Sequence, residues 1–430
     1  MGVTSTPSGT IMATPLKLER AATAAFEVFG NSPNVVARAP ARVELLGNHT
    51  DHNGGLVLAV AIDLETFVVG RADAERLAAA CSVNFPGVEG RAIESPSLDS
   101  LPIDCFAIDG LTPDPAGSWG QYVRGVTWAL GESDGPLRSG FEIALAGNVP
   151  LGAGLSSSAS LQAAFALFLL ASGVVPDRSA DLDDPARMEL AKVLRRSENA
   201  FVGVASGLLD QFSSLFGRAG HALTLDCRSL AYERLPLGDP APAIVVVDSA
   251  TSRKLADGMY NIRRAECEAV VDHFRSLRGP DAVRTLRDIT HDDLNAEWDA
   301  LADAPRRRAR HVLTENDRVR DGAIALKSGD LAGFGRLMLA SHASSRDDFA
   351  NSSPALDALI AAAEASPGFL GGKLSGAGWA GCTVNLVESD RAEEFAASLA
   401  EHYTRAMNLV PTVHICHAAD GASARVLDAG

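Results

Sequence analysis

The sequence predicts an α+β or α/β protein of two lobes, on three observations. Strand-like and helix-like runs alternate along the chain, and its 430 residues are too many for one small core. Hydrophobic residues make up 47% and charged residues 21%, an ordinary globular composition. Leu16 to Phe29 has apolar residues at helical spacing and ends at Gly30, a C-cap. Val35 to Leu46 and Leu56 to Val69 read as strands, with Asn53-Gly54 as the turn dipeptide of the connection between them. Phe141 to Ala146 is a short strand, 147–158 a Gly/Ser turn and 159–172 an apolar helix. Asp184 as N-cap and Pro185 at the first helical position open a helix that runs to about Val202. Ser206-Gly207 starts another, with the stripe Leu208, Leu209, Phe212, Leu215 and Phe216. Strands at Ala222 to Asp226, Ile244 to Asp248, 382–387 and 411–417 then alternate with long helices. The expected organisation is a mobile tail over 1–15, a first lobe over 16–215 and a second over 216–430, whose last strand is free to return to the first.

The 38 basic against 54 acidic side chains leave a net charge of −16. That sign argues against nucleic acid or an anionic membrane as partner. An anionic nucleotide would need local compensation from backbone N–H groups, a metal ion or a few placed cations. Six cysteines (81, 105, 227, 267, 382, 416) lack any CxxC spacing and read as reduced thiols. The start of the chain lacks a signal-peptide layout, and the apolar run Ser160 to Val175 is broken by Gln162, Ser172 and Gly173, short of a membrane span. The expectation is a cytoplasmic monomer acting on small molecules.

The chemistry starts at Asn148-Val-Pro-Leu-Gly-Ala-Gly-Leu-Ser-Ser-Ser-Ala-Ser160, between a strand and an apolar helix. Gly152 and Gly154 permit close backbone approach, and Ser156, Ser157 and Ser158 sit at the helix N-terminus, an anion site by its unpaired N–H groups and dipole. It is not a Walker A loop, since no Gly-Lys-Ser/Thr follows. The plainer alternative is a flexible connector. Leu190, Leu194 and Glu198 fall on one helical stripe, so the glutamate needs a partner. It either pairs with Arg195 or Arg196 at the surface or, with the Ser158 hydroxyl, offers the oxygen ligands a hard cation such as Mg²⁺ takes. Asp210 lies near the start of its helix, where the dipole favours negative charge and a carboxylate can accept a hydroxyl proton. The cluster His49-Thr-Asp51-His52 admits three readings: metal ligation, a polar turn or a sugar-hydroxyl clamp. Arg42, in the preceding strand, can aim at the same place and stabilise phosphoryl charge. A second Gly-rich turn, Gly371 to Cys382, would let the second lobe bring backbone close to phosphate or to the first loop.

Together these stretches resemble the GHMP kinases, and within them the galactokinases, from Phe26 to about Gly421. Ala39 to Gly55 looks like the galactokinase sugar-binding signature, and Val149 to Ser160 matches the superfamily phosphate motif. Gly207-Leu-Leu-Asp-Gln-Phe212, Asp226-Cys-Arg-Ser229 and Lys373-Leu-Ser-Gly-Ala-Gly378 follow in the expected order. The resemblance implies a two-lobed α+β fold of mixed and antiparallel sheets packed against helices, with the active site in the cleft between lobes. It makes Asp210 and Arg42 catalytic and puts Mg²⁺ at Ser158 and Glu198. ATP goes to Trp119 and the loop Gly152, Ala153, Gly154, Leu155, Ser156, Ser157 and Ser158. The sugar falls to Asn48, His49, Asp51, Gly207 and Tyr260. The implied reaction is phosphoryl transfer from ATP to the anomeric hydroxyl of galactose. Two positions depart from the family: Ala41 stands where Gly is frequent, and Asn48 where the usual residue is Glu. The second removes a negative charge near the far end of the sugar and keeps two alternatives open, galacturonate and L-arabinose. A sugar sensor without turnover is a third.

Overall fold

The computed structural model describes residues 14–83, 101–113, 119–150, 154–204, 206–251 and 258–427. The expected tail over 1–15, apart from its last two residues, and the loop positions Leu151, Gly152 and Ala153 lie outside them. The first lobe begins with helix α1 (Thr14–Phe29) and strands β1 (Val35–Leu46), β2 (Leu56–Asp73), β3 (Leu77–Ser82) and β4 (Ile103–Ala107). Helix α2 (Gly120–Asp134), strand β5 (Gly140–Gly147) and helices α3 (Ser157–Ala171), α4 (Asp184–Arg196) and α5 (Leu209–Phe216) follow, then β6 (His221–Asp226) and β7 (Tyr232–Pro236). The second lobe runs through β8 (Ala243–Asp248), α6 (Met259–Arg278), α7 (His291–Ala296), α8 (Asp303–Ser328), α9 (Leu331–Ser344) and α10 (Pro354–Glu364). It ends with β9 (Phe369–Leu374), β10 (Cys382–Val387), α11 (Ala392–Met407) and β11 (Thr412–Cys416), after which β12 (Ser423–Val426) returns to the first lobe.

The larger sheet has the path β12-β1-β2-β5-β3-β4, with the β6–β7 hairpin branching from β2; β3 and β5 are parallel and the other pairs antiparallel. Alternation along β1 sorts its side chains. Val35, Ala37 and Ala39 enter the core under α2 to α5, while Val36 meets α1. Beyond the register shift at Pro40/Ala41, residues Ala41, Val43 and Leu45 join a core shared with β8, β10, α8 and α9. That shared core ties the lobes together, and it leaves Arg42 and Glu44 on the opposite side of the strand.

The smaller sheet, β11-β8-β10-β9, is antiparallel throughout. In β8, Ile244 and Val246 face the shared core, while Ala243, Val245 and Val247 pack on α10 and α11. Both faces are covered, which explains an unbroken apolar run.

Three expectations change. The β6–β7 hairpin belongs to the larger sheet, pairing Leu56–Ala59 with Leu223–Asp226, so the sheets divide after Pro236 rather than at 215. The stretch read as a Gly-rich turn from Gly371 begins inside β9; an added Cβ on Gly371 would lie 2.2 Å from the Cα of Gly335, so helix α9 lies directly on the strand. The N-cap of α4 is Asp183, accepting from the Ala186 N–H, and Asp184 instead binds Arg234 and Tyr232. No described helix is long and apolar enough to cross a membrane.

Candidate active site

Arg42 projects from β1 and Asp210 from the first turn of α5. The guanidinium Nε and Nη2 both donate to Asp210 Oδ1, at 2.8 and 2.6 Å. The third nitrogen, Nη1, donates to the Gly154 carbonyl at 2.8 Å, and the Arg42 backbone N–H to the Leu155 carbonyl at 3.3 Å. The end of the Gly/Ser loop is thus strapped to the strand. Ser156, at a φ of 58°, donates to Asp210 Oδ2 at 2.5 Å. One oxygen of Asp210 carries two hydrogen bonds and the other one, which leaves Oδ2 room to accept another.

Next to this pair stands a buried carboxylate. Glu198 follows Leu190 and Leu194 on the inward stripe and is 4% exposed. Ser158 Oγ donates to its Oε1 at 3.1 Å, and Ser206 Oγ and Gln211 Nε2 each donate to Oε2 at 2.6 Å. Among the described residues no lysine or arginine pairs with it, so the surface pairing with Arg195 or Arg196 is not what forms; Arg196 goes to Glu132 and to the face of Trp128. Burial pushes the Glu198 carboxyl up, and the nearby Asp210 charge adds to it. A desolvated, all-oxygen pair with no cation of its own fits a hard divalent ion. Tyr122, one turn into α2, faces Ser158 and Glu198; Trp119, half-buried against the first-lobe core, opens the same helix.

The turn after β1 makes the other wall. His49 has a φ of 60°, stacks on Phe349 with ring centroids 4.3 Å apart, and shares a 3.1 Å hydrogen bond with the Ala377 carbonyl. Burial lowers its imidazole to about 3, so at neutral pH it is uncharged and Nε2–H is the donor. Asp51 Oδ1 lies 3.2 Å from His52 Nδ1. Burial by itself would raise the Asp51 carboxyl, but the side-chain and backbone hydrogen bonds from His52 oppose it, and the carboxyl is held at about 2. An added Cβ on Gly207 would lie 2.2 Å from Asp51 Oδ2, so glycine alone lets the start of α5 close on this carboxylate. Tyr260, in the first turn of α6, places its ring 5.5 Å from His49. Among the described residues no group of three or more His, Cys, Asp or Glu is arranged to hold a metal, the His49–Asp51–His52 turn included.

Asn48 is placed differently from expectation. It is 1% exposed; Nδ2 donates to the Gly376 carbonyl at 3.0 Å, and Oδ1 accepts from Asn351 at the same distance. Its own carbonyl accepts from His311 at 3.0 Å. Both ends of the amide engage the second lobe rather than the open cleft, and they do so because the Gly-rich turn folds over it. Gly376 lies directly against Gly154, so the two Gly-rich turns meet. Sequence reasoning missed Tyr122, Ser206, Gln211 and Phe349. Gln211 adjoins Asp210 and was within reach of a helix-face argument, whereas Phe349 lies 300 positions from His49 and carried no signal.

Residues 25–72, which hold Arg42 and the 47–53 turn, match the model of the galactokinase galactose-binding signature. A galactokinase of Roseiflexus is 42% identical over 400 residues, covering 93% of this chain and 95% of that protein. The chain belongs to the galactokinase family. The human galactokinase is 38% identical over 396 residues, 92% of this chain and 93% of its own. Residues 121–218 and 323–405 match the N- and C-terminal GHMP kinase domains. The crystal structure of Lactococcus lactis galactokinase complexed with galactose superposes with a TM-score of 0.82 at 30% identity, over 94% of this chain and 99% of that one. A mevalonate kinase structure shares the fold alone, at 18% identity and a TM-score of 0.59. The two-lobed α+β fold of the galactokinases is therefore that of this chain.

Proposed function

We propose that this enzyme transfers the γ-phosphoryl group of ATP to the anomeric C1 hydroxyl of galactose, giving galactose 1-phosphate and ADP. The observation that carries the reading is the Arg42–Asp210 pair, tied to the Gly/Ser loop through Gly154 and Ser156. The described part of the loop, Gly154 to Ser158, receives the phosphates on the first N–H groups of α3, with Trp119 on the adenine side. His49, Asp51, Gly207 and Tyr260 hold the sugar. Asp210 Oδ2, with its free acceptor capacity, orients the C1 hydroxyl and takes its proton. Arg42 neutralises the carboxylate and offsets charge on the transferring phosphoryl. Such transfer has a loose transition state, so positioning and electrostatics supply most of the acceleration. Ser158 and Glu198 would hold Mg²⁺, whose charge neutralises the phosphate oxygens.

Galactose is favoured over galacturonate because residues 43–66 contain no arginine or lysine to pair a sugar carboxylate. The Asn48 amide, engaged by Gly376 and Asn351, acts on the second Gly-rich turn and leaves the sugar to its neighbours. The paired Arg42 and Asp210 favour turnover over sensing. Six free thiols and the acidic surface suit a cytoplasmic monomer. A panel of galactose, galacturonate and L-arabinose with Mg-ATP tests the reading. Galactose 1-phosphate should be the dominant product, and EDTA should abolish it. Faster turnover of either rival overturns the substrate assignment.

A further inference from the structure

His52 is the residue of the 47–53 turn whose hydrogen bonding does not close. Its side chain is 7% exposed, and Nε2 has no hydrogen-bond partner among the described residues. Its other nitrogen has two neighbours. Nδ1 lies 3.2 Å from Asp51 Oδ1 and 3.4 Å from the Tyr260 hydroxyl. The ring packs edge-on to both His49 and Tyr260, with centroids 5.8 and 5.7 Å away.

One nitrogen cannot donate to Asp51 and accept from Tyr260 at once. The Asp51 carboxylate has no proton to offer, being held ionised well below neutral pH, so it can only accept. Nδ1 must therefore carry a hydrogen and donate it to Asp51. Two consequences follow. The Tyr260 hydroxyl finds no acceptor on His52, and its hydrogen is left to point elsewhere. Nε2 is buried with no hydrogen-bond partner among the described residues, an arrangement rare enough in folded proteins to call for an explanation.

We infer that His52 is a positioning residue for the sugar: its Nδ1–H fixes Asp51 through Oδ1, and by doing so leaves Asp51 Oδ2 and the Tyr260 hydroxyl to bind sugar hydroxyls. The inference rests on the proposed reading that Asp51 and Tyr260 hold the galactose. His52 itself touches no reacting atom, so its loss acts on sugar binding and leaves the Arg42–Asp210 chemistry and the nucleotide side unaltered.

Steady-state kinetics of His52→Asn, His52→Gln and His52→Phe, with Asp51→Asn and Tyr260→Phe beside them, test this. Asn places an amide N–H where Nδ1–H stands; Gln places it at the Nε2 end; Phe keeps the ring without a donor. His52→Phe and His52→Gln should raise the galactose KM by about ten-fold or more, with kcat within about two-fold and the ATP KM unchanged. His52→Asn should return the galactose KM to within about three-fold of the parent. A purely structural role would move kcat and both KM values together and would not separate Asn from Gln. If the Phe variant does not fold, the Gln-to-Asn ratio of galactose KM decides: well above one supports the inference, equality overturns it. Unchanged galactose KM in Asp51→Asn and Tyr260→Phe would instead refute the reading beneath it. Raised KM in those two, with His52→Phe and His52→Gln at parental values, would refute this inference alone.

Discussion

Strand β1 sends two side chains, Arg42 and Glu44, from the same face two residues apart, and each makes an ion pair with a partner far along the chain. Arg42 meets Asp210 at 2.6 Å, with side chains 10% and 26% exposed. Glu44 meets Lys373 at 2.8 Å, with side chains 9% and 0% exposed. The contacts are alike in chemistry and distance and differ in access. Asp210 opens to the cleft and keeps an acceptor position on Oδ2, so its pair can be used by a substrate. Lys373 is sealed between β9 and β1, so its pair can only hold the lobes in register. Burial pushes the Glu44 carboxyl up while Lys373 pulls it back, the balance expected of a charge that survives in the interior by its partner.

Disrupting the buried pair should have the larger effect on stability. Lys373→Met leaves Glu44 desolvated and unpaired, which should lower stability to urea by about 3–5 kcal/mol. Replacing both, with Glu44→Leu and Lys373→Met together, should recover most of that loss, since an apolar pair of similar volume needs no compensation. A cost below about 1 kcal/mol for the single variant would mean that the pair is not sealed.

A pH experiment sharpens the same contrast with a smaller effect. His311 in α8 shares a 3.0 Å hydrogen bond with the Asn48 carbonyl and a 2.9 Å one with Ser344, and burial lowers it to about 4. The unfolded chain binds that proton near 6.5, so stability is full above that value and is lost as pH falls from 6.5 toward 4. At pH 5 the loss from His311 is about 2 kcal/mol. His311→Gln keeps a donor to Asn48 but cannot titrate, so the fall in stability between pH 7 and pH 5 should shrink by that amount. An unchanged fall would place the titration elsewhere.

Much of the first lobe was legible because it is local. Val35 to Leu46 read as a strand and is β1 at those bounds, and the stripe Leu190, Leu194, Glu198 placed a carboxylate inward with no knowledge of its partners. The Gly/Ser loop was legible as the lead-in to the N-terminus of an apolar helix for the same reason. What was missed is long-range. Lys373 read as part of a turn because its strand contains two glycines, and only the approach of α9 at Gly335 shows why they are there. Nothing in Ser423–Val426 announces a strand; β12 forms because the edge of β1 offers Val35 to Arg38 as a template. The hydrogen bonds of the Asn48 amide to Gly376 and Asn351, about 300 residues on, were likewise out of reach of the sequence.

In the proposed reaction Asp210, paired to Arg42, receives the C1 proton. Single-turnover phosphoryl transfer by Asp210→Asn, with galactose binding by calorimetry on the same preparation, tests it most directly. Galactose affinity should stay within a few-fold of the parent while formation of galactose 1-phosphate slows by about 10²–10⁴-fold. Transfer at a rate close to that of the parent enzyme would contradict it.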